Sequence, residues 1–358
     1  MKIAIISTHP IQYYAPVFQM LTQQLDVKVF YTAEKESLYD HGFQRNISWD
    51  IPLLRGYAYE WVTKDARIAQ ISIYRPTHII IYGWAAPGHL SLLRYFKNKV
   101  TIIFRGDSTM LKLSPWWKAP IKKVFLTWVY QHIDVALYTG TNNKAYFKEY
   151  GLKDKQLKFA PHSIDNERFS KPQKLGIRQS LGLSKKDTLV LYTGKLNTNK
   201  NILNLIRTFV ELKIEHTHLL LVGSGVLEGQ LQKEVNKYQN VHLLPFQNQQ
   251  VIPAYYQACD LFCLPSKNES WGLSINEAMA CGKAVLVSDQ CGAAIDLVSQ
   301  NNGKIFRSKD PMDFSRQLKL LLEQPDRLET AGKYSKKEIQ KWSFKVQVDH
   351  IINCLYDS

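Results

Sequence analysis

The stretch 261-LFCLPSKNESWGLSINEAMA-280 decides the architecture of this chain. Four apolar residues, Leu261 to Leu264, break at Pro265. A polar loop runs to Gly272, and a helical pattern follows to Ala280. A short apolar run, a turn and a helix make one step of a parallel sheet buried on both faces. The step recurs along all 358 residues. MKIAIIS, VKVFYT, HIIIYG, VTIIFRG and VALYTG mark strands in the first half. TLVLYTG, HLLLVGSG, VHLLPF, AVLVSD and GKIF mark them in the second. Alternation of this kind predicts an α/β class. The pattern restarts near Leu189, after the polar, Lys-rich stretch 170–187. Two doubly wound, Rossmann-like domains are therefore expected, with an interdomain cleft and ligands at the carboxyl ends of the strands. The expected boundaries are 1–165, 166–335, and a C-terminal helical segment 336–358 that returns to pack on the first domain.

Composition fits this reading. A hydrophobic content of 45%, an aromatic content of 12% and a mean hydropathy of -0.26 describe a soluble globular chain, not a disordered or fibrous one. No apolar run reaches the ~18 residues of a membrane-spanning helix. The opening MKIAIISTHP is too short and too β-branched for a secretory leader, so a cytoplasmic location is expected. Cys259, Cys263, Cys281, Cys291 and Cys354 are odd in number and lack zinc-finger spacing. They read as buried free thiols, not as disulfides or a metal site. The net charge is +15, of which residues 1–160 carry +10. Such a field attracts nucleic acid, acidic lipid or phosphorylated metabolites.

Three loops of the second half carry the chemistry. In the first, Gly272 removes side-chain bulk where backbone N–H groups face a ligand. Ser274 or Asn276 is placed to cap the helix whose positive end would hold a diphosphate. Glu269 sits in the loop, and Glu277, eight positions on, can accept hydrogen bonds from vicinal sugar hydroxyls. The second loop follows the strand that ends at Thr193. There Gly194 lets the backbone approach closely, while Lys195 and Lys200 supply cations for a leaving diphosphate. The third, Val222-Gly223-Ser224-Gly225, fits a tight strand-to-helix turn. It is not a dinucleotide fingerprint, because the next glycine falls at 229. Each loop alone also reads as an ordinary solvated turn.

Together, and with Pro245-Phe246, the Glu269-to-Glu277 spacing, Ala278 to Val285, Ser288 to Gly292 and Asn302-Gly303, they resemble retaining, nucleotide-sugar-dependent glycosyltransferases of the GT-B fold. The likeness is to glycosyltransferase family 4, of the bacterial surface-polysaccharide type. The resemblance implies that Lys195 and Lys200 meet the donor diphosphate, Lys195 standing where the family more often has Arg. It implies Glu277 on the ribose and Glu269 near the transferred sugar. Backbone around Gly272, Leu273 and Ser274 would hold the phosphates, Gly194 and Gly223 would flank them, and Phe246 and Gln247 would lead to the base. The substrate would be a UDP- or GDP-type sugar, with no separate cofactor. Retention of configuration is also implied.

In the first half, His9, Gln12 and Tyr13 follow strand one where the family usually has a Gly-rich turn. Arg105-Gly106-Asp107 follows another strand. Asp107 stands where the family often carries His or Asp, and reads as a base toward the acceptor or as a sugar ligand. His162 lies at the entry to the second domain and either lines the cleft or fills the hinge. Residues 112–132 interleave Trp116, Trp117 and Trp128 with Lys118, Lys122 and Lys123. They suit an anionic membrane at the inner face of the cell, or nucleic acid, unless the Trp face is core. The chain has no Asp-x-Asp, so no obligatory metal is expected. The reaction expected from the resemblance is sugar transfer to a glycan or lipid-linked hydroxyl, in cell-surface polysaccharide or glycoconjugate synthesis. A GT-B nucleotide-sugar epimerase or phosphorylase, and a non-enzymatic nucleic-acid-binding protein, remain the alternatives.

Overall fold

Apolar runs without polar interruption can be buried only if both faces of a sheet are covered, and the computed structural model of the chain shows that arrangement twice. It describes residues 1–33, 39–111 and 115–357. In chain order come β1 (Lys2–Ser7), α1 (Ala15–Thr22), β2 (Asp26–Tyr31), β3 (Tyr39–Asp40), β4 (Arg45–Asn46), β5 (Ala58–Trp61), α2 (Arg67–Tyr74), β6 (His78–Tyr82), α3 (His89–Phe96), β7 (Thr101–Arg105), α4 (Ala119–Tyr130), β8 (Val135–Tyr138), α5 (Thr141–Glu149) and β9 (Leu157–Phe159). Then follow α6 (Asn166–Ser170), α7 (Ile177–Ser180), β10 (Thr188–Thr193), α8 (Ile202–Glu211), β11 (Thr217–Val222), α9 (Glu228–Val235), β12 (Val241–Leu244), α10 (Ile252–Ala258), β13 (Leu261–Leu264), α11 (Leu273–Ala280), β14 (Ala284–Ser288), α12 (Ala294–Leu297), β15 (Gly303–Phe306), α13 (Pro311–Leu322), α14 (Pro325–Glu338) and α15 (Phe344–Tyr356).

Two compact units result. The first comprises Met1–Ser37, Ile51–Ser163 and Phe344–Ser358. Its seven parallel strands run in the order β5-β2-β1-β6-β7-β8-β9. Alternate residues of each strand feed opposite cores. Ala4, Ile6, Ile79, Ile81, Ile102 and Phe104 point to one. Ile3, Ile5, Ile80 and Ile103 point to the other, which α1 and α15 cover with Phe18, Leu21, Val348 and Ile351.

The second unit comprises Leu38–Asp50 and Ile164–Ser343. Its six parallel strands run β12-β11-β10-β13-β14-β15, and every residue of β10, β13 and β14 is buried. Each unit reverses its winding once, between β1 and β6 in the first and between β10 and β13 in the second. Ligands bind at such reversals.

Three placements differ from the sequence reading; the smallest is that residues 164–165, expected to end the first domain, open the main segment of the second unit. Residues 39–50, counted there with the first domain, belong to the second unit, where β3 and β4 pair as an antiparallel hairpin. Residues 336–343, counted with the C-terminal helix, also stay in the second unit, and only Phe344 onward joins the first. The cause is local. Trp342 packs on Trp271 with ring centres 5.1 Å apart, and the Ile339 carbonyl accepts from Asn166 Nδ2 at 3.0 Å.

Candidate active site

At the second unit's reversal three loops meet. The turn after β10 is joined to the turn after β11: Gly194 N–H donates to Val222 O at 3.0 Å, and Leu196 N–H to Ser224 O at 2.8 Å. This contact explains two glycines. A Cβ on Gly223 would lie 1.9 Å from the Gly194 carbonyl oxygen, and one on Gly225 2.6 Å from that of Leu196. Neither distance is tolerable against backbone, so these positions serve the approach of two turns to each other. On the other side, Lys267 N–H donates to Asn199 O at 2.7 Å, joining the turn after β10 to the loop after β13.

The joined loops bring the expected residues together. Lys200 closes a short 3₁₀ turn in which Asn197 Oδ1 accepts from its N–H. Its ammonium is paired with Glu269, and both side chains are only 19% exposed. Gly272, at a left-handed φ of 99°, opens α11, and a Cβ there would lie 3.4 Å from Glu269 Cγ. The cap differs from the sequence reading: neither Ser274 nor Asn276 caps the helix. Gly272 is the N-cap residue, and Asn276 is fully buried, accepting from Trp271 Nε1 at 2.9 Å. Leu273 and Ser274 form the helix's first turn, half-buried. Glu277 is 5% exposed, and its Oε2 accepts from Tyr256 O–H at 2.7 Å. The same phenol lies 2.5 Å from Thr193 Oγ1. Tyr256 therefore anchors Glu277 beneath the end of β10, a role with no sequence signal.

Lys195 pairs with a residue the sequence reading did not single out. Its Nζ lies 2.9 Å from Asp40 Oδ1 and 5.0 Å from the centre of the Phe43 ring. Burial disfavours the charged form of Asp40, but hydrogen bonds from Lys195 and from Phe43 N–H outweigh it and hold the carboxyl below its usual range. The hairpin also reaches the expected base segment. Phe43 and Trp49 pack edge-on against Phe246 at 4.9 and 6.2 Å, and the Arg45 guanidinium lies 5.3 Å from the same ring. Gln247 beside it donates to Pro245 O.

The first unit has a separate pocket of about 170 Å³ at its own reversal. Asp107, Arg105 and His162 line it, with Tyr14, Tyr82 and Thr139. His9, Gln12 and Tyr13 are not in its lining; His9 is exposed, with its Nδ1 2.9 Å from Thr8 Oγ1. Arg105 is 2% exposed and donates to the carbonyls of Ala160 (2.9 Å) and Pro161 (3.0 Å). Its head group thus fixes the segment that presents His162. Burial, with the Arg105 charge in second place, pushes the His162 imidazole down to about 3, so it is neutral at physiological pH. The pocket thus offers hydroxyls, a carboxyl and a neutral imidazole.

The cysteines are free thiols, four of them buried and Cys281 partly so. In the segment read as a membrane or nucleic-acid contact, Lys112 lies outside the described residues. The remainder does not bury its Trp face: Trp116 is 86% exposed and Trp117 55%. No described helix is long and apolar enough to cross a membrane.

The chain is similar to known proteins in sequence and in fold. Residues 173–338 match the family described as glycosyl transferases group 1. A Campylobacter jejuni N-acetylgalactosamine-N,N'-diacetylbacillosaminyl-diphospho-undecaprenol 4-alpha-N-acetylgalactosaminyltransferase is 26% identical over 73% of this chain and 71% of its own length. The sulfoquinovosyl transferase SQD2 of Arabidopsis thaliana is 27% identical over 57% of this chain, which spans 40% of that protein. Among solved structures, Anabaena HepE in complex with UDP and glucose superposes with a TM-score of 0.78, at 17% identity and full coverage of both chains. A sucrose-phosphate synthase from Thermosynechococcus elongatus superposes at 0.77, with 20% identity over 99% of this chain and 98% of its own. The chain has the GT-B fold, and residues 173–338 of its second unit match the group 1 glycosyl transferase model.

Proposed function

We propose that this protein is a glycosyltransferase that moves a sugar from a nucleoside diphosphate, of UDP or GDP type, to a hydroxyl of a glycan or lipid-linked acceptor. The transfer proceeds with retention, in bacterial cell-surface polysaccharide or glycoconjugate synthesis. The observation that carries the reading is the meeting of Lys200, Glu269 and the Gly272 start of α11 at the winding reversal of a domain matched to this family. The Campylobacter relative, named for transfer to a sugar on diphospho-undecaprenol, and HepE, solved with UDP and glucose, support the acceptor and donor classes.

In the transition state the sugar ring gains positive charge and the departing diphosphate negative charge. Lys195, Lys200 and the first-turn N–H groups of α11 stabilise that diphosphate, and cations already in place need no reorganisation. Two lysines do the work a metal does elsewhere, so the reaction proposed needs no divalent ion. Glu277, oriented by Tyr256, holds the ribose. Glu269 releases Lys200 to the phosphate and accepts from hydroxyls of the transferred sugar. Asp107 orients or deprotonates the acceptor hydroxyl, while neutral His162 acts only as a hydrogen-bonding wall. The reading includes peripheral contact with an anionic membrane on the cytoplasmic side.

A panel of UDP- and GDP-sugars, screened for thermal stabilisation and then for transfer to octyl glycosides, tests the proposal. One donor class should raise the melting temperature and be consumed only with acceptor present, with or without EDTA. Stabilisation by no nucleotide sugar, or unchanged turnover in both Lys200→Ala and Glu277→Ala, rejects it.

A further inference from the structure

Helix α4 carries two apolar stripes, one more than a helix on the surface of a globular unit needs. Leu126, Val129 and Tyr130 fill one side of the first unit's core. The other stripe, Ile121, Val124 and Trp128, follows helical spacing and is 69%, 73% and 37% exposed. Trp116 and Trp117, in the 3₁₀ turn (Trp116–Lys118) that leads into the helix, extend it. The end of α3 adds Tyr95, 40% exposed, while the Arg94 guanidinium lies 5.8 Å from the Trp128 ring centre. Side chains of this size rarely stand together in water without a partner.

The charge around the stripe is one-sided. Residues 66–133 contain ten Lys and Arg but a single acidic residue, Asp107, which lines the pocket described above. Lys118, Lys122 and Lys123 flank the stripe from α4 and its leading turn, and Lys97 and Lys99 from the end of α3. Glu149, the acid paired with Lys123 at 2.8 Å, is on the exposed flank. We propose that the Trp116–Trp128 face, with the cations of α3 and α4, is a docking surface for an anionic lipid bilayer. Indole rings settle at the headgroup level, aliphatic side chains enter the acyl boundary, and lysines meet lipid phosphates. A duplex nucleic acid offers phosphates but nothing for Ile121, Val124 and the indoles to enter. The surface stands without the chemistry proposed above; its use in meeting a lipid-linked acceptor rests on that reading.

The test is co-sedimentation of the full chain with phosphatidylglycerol/phosphatidylcholine vesicles and with phosphatidylcholine vesicles, alongside the triple variant W116S/I121S/V124S. These side chains are among the least packed of the face, and none lies in the candidate site. The wild type should bind the anionic vesicles with a blue-shifted Trp emission, and release in high salt. The triple variant should bind at least about 100-fold more weakly, since each buried apolar side chain is worth roughly tenfold. Its UDP binding should be unchanged. Absence of binding by wild type, equal binding by the variant, or equal binding to phosphatidylcholine alone overturns the proposal. So does displacement from the vesicles by a random DNA duplex, or a dimer in sedimentation velocity that only the wild type forms. Loss of UDP binding in both proteins would count against the proposed transferase and leave the surface intact.

Discussion

Glu269→Gln should separate the two duties given to that residue. In the structure its carboxylate is paired with the Lys200 ammonium, both largely sequestered from water. A diphosphate docking on Lys200 must share that ammonium with a like charge. Two anions in contact with one Nζ lie roughly 6 Å apart, and at an effective dielectric of about 20–40 a unit pair at that distance repels by about 1.5–3 kcal/mol. Glutamine keeps the shape and a hydrogen-bond acceptor but removes the repulsion. UDP, which lacks the transferred sugar, should therefore bind Glu269→Gln at least about tenfold more tightly in a calorimetric titration, taking the lower end of that range. Lys200→Ala should bind it more weakly. Turnover of the intact sugar donor should fall in both variants, because Glu269 is also the group proposed to meet the transferred sugar. Unchanged or weaker UDP binding by a well-folded Glu269→Gln would refute the reasoning: the ion pair would then be a scaffold for the loop, with no part in competition for the lysine.

Other variants probe the neighbouring contacts. Tyr256→Phe removes a donor from the buried Glu277 carboxylate, a loss of about 1.5–3 kcal/mol, and should lower the melting temperature by roughly 3–12 °C. It should weaken UDP binding and leave pyrophosphate, which has no ribose, unaffected. Gly223→Ala drives a methyl into the Gly194 carbonyl and should abolish UDP binding by parting the two turns. Gly229→Ala, with nothing within 4 Å of its Cβ, should be neutral or slightly stabilising in α9. His162, about 3 when folded against an ordinary 6.5, binds a proton more readily in the unfolded chain. Its contribution is therefore complete above pH 6.5 and lost as pH falls toward 3, by at most about 1.4 kcal/mol per pH unit. Denaturant melts at pH 7 and pH 5 should show a smaller loss for His162→Gln than for wild type.

The fold was legible where the physics is local. Every strand named from an apolar run is present, because a strand buried on both faces leaves no room for polar interruption. The strands passed over are short or exposed: the two-residue β3 and β4, β5 with Ala58 and Tyr59 at the surface, and the three-residue β9. The loops at the second unit's reversal were legible because each springs from an apolar strand: Gly194 and Lys195 come directly after β10, and Glu269 and Gly272 lie between β13 and α11. What escaped was non-local. Asp40 meets Lys195 across 155 positions, and Tyr256 meets Glu277 from a helix whose pattern shows only apolar burial. The Asn276 side chain looked like a cap and instead anchors Trp271, since a Gly in left-handed conformation already turned the chain into the helix. The fate of the Trp-rich helix could not be read from spacing either, because both of its stripes are apolar.

The hairpin at 39–50 changes what counts as a module. The polypeptide passes between its two units after Ser37, Asp50, Ser163 and Ser343, so no single cut releases either one whole. A fragment beginning at residue 164 would carry Lys195 stripped of Asp40 and Phe246 stripped of Phe43 and Trp49, leaving a bare aromatic wall in water. Chimeras that graft the second unit of a relative by one junction would inherit a foreign hairpin. A successful graft must exchange residues 39–50 together with 164–343.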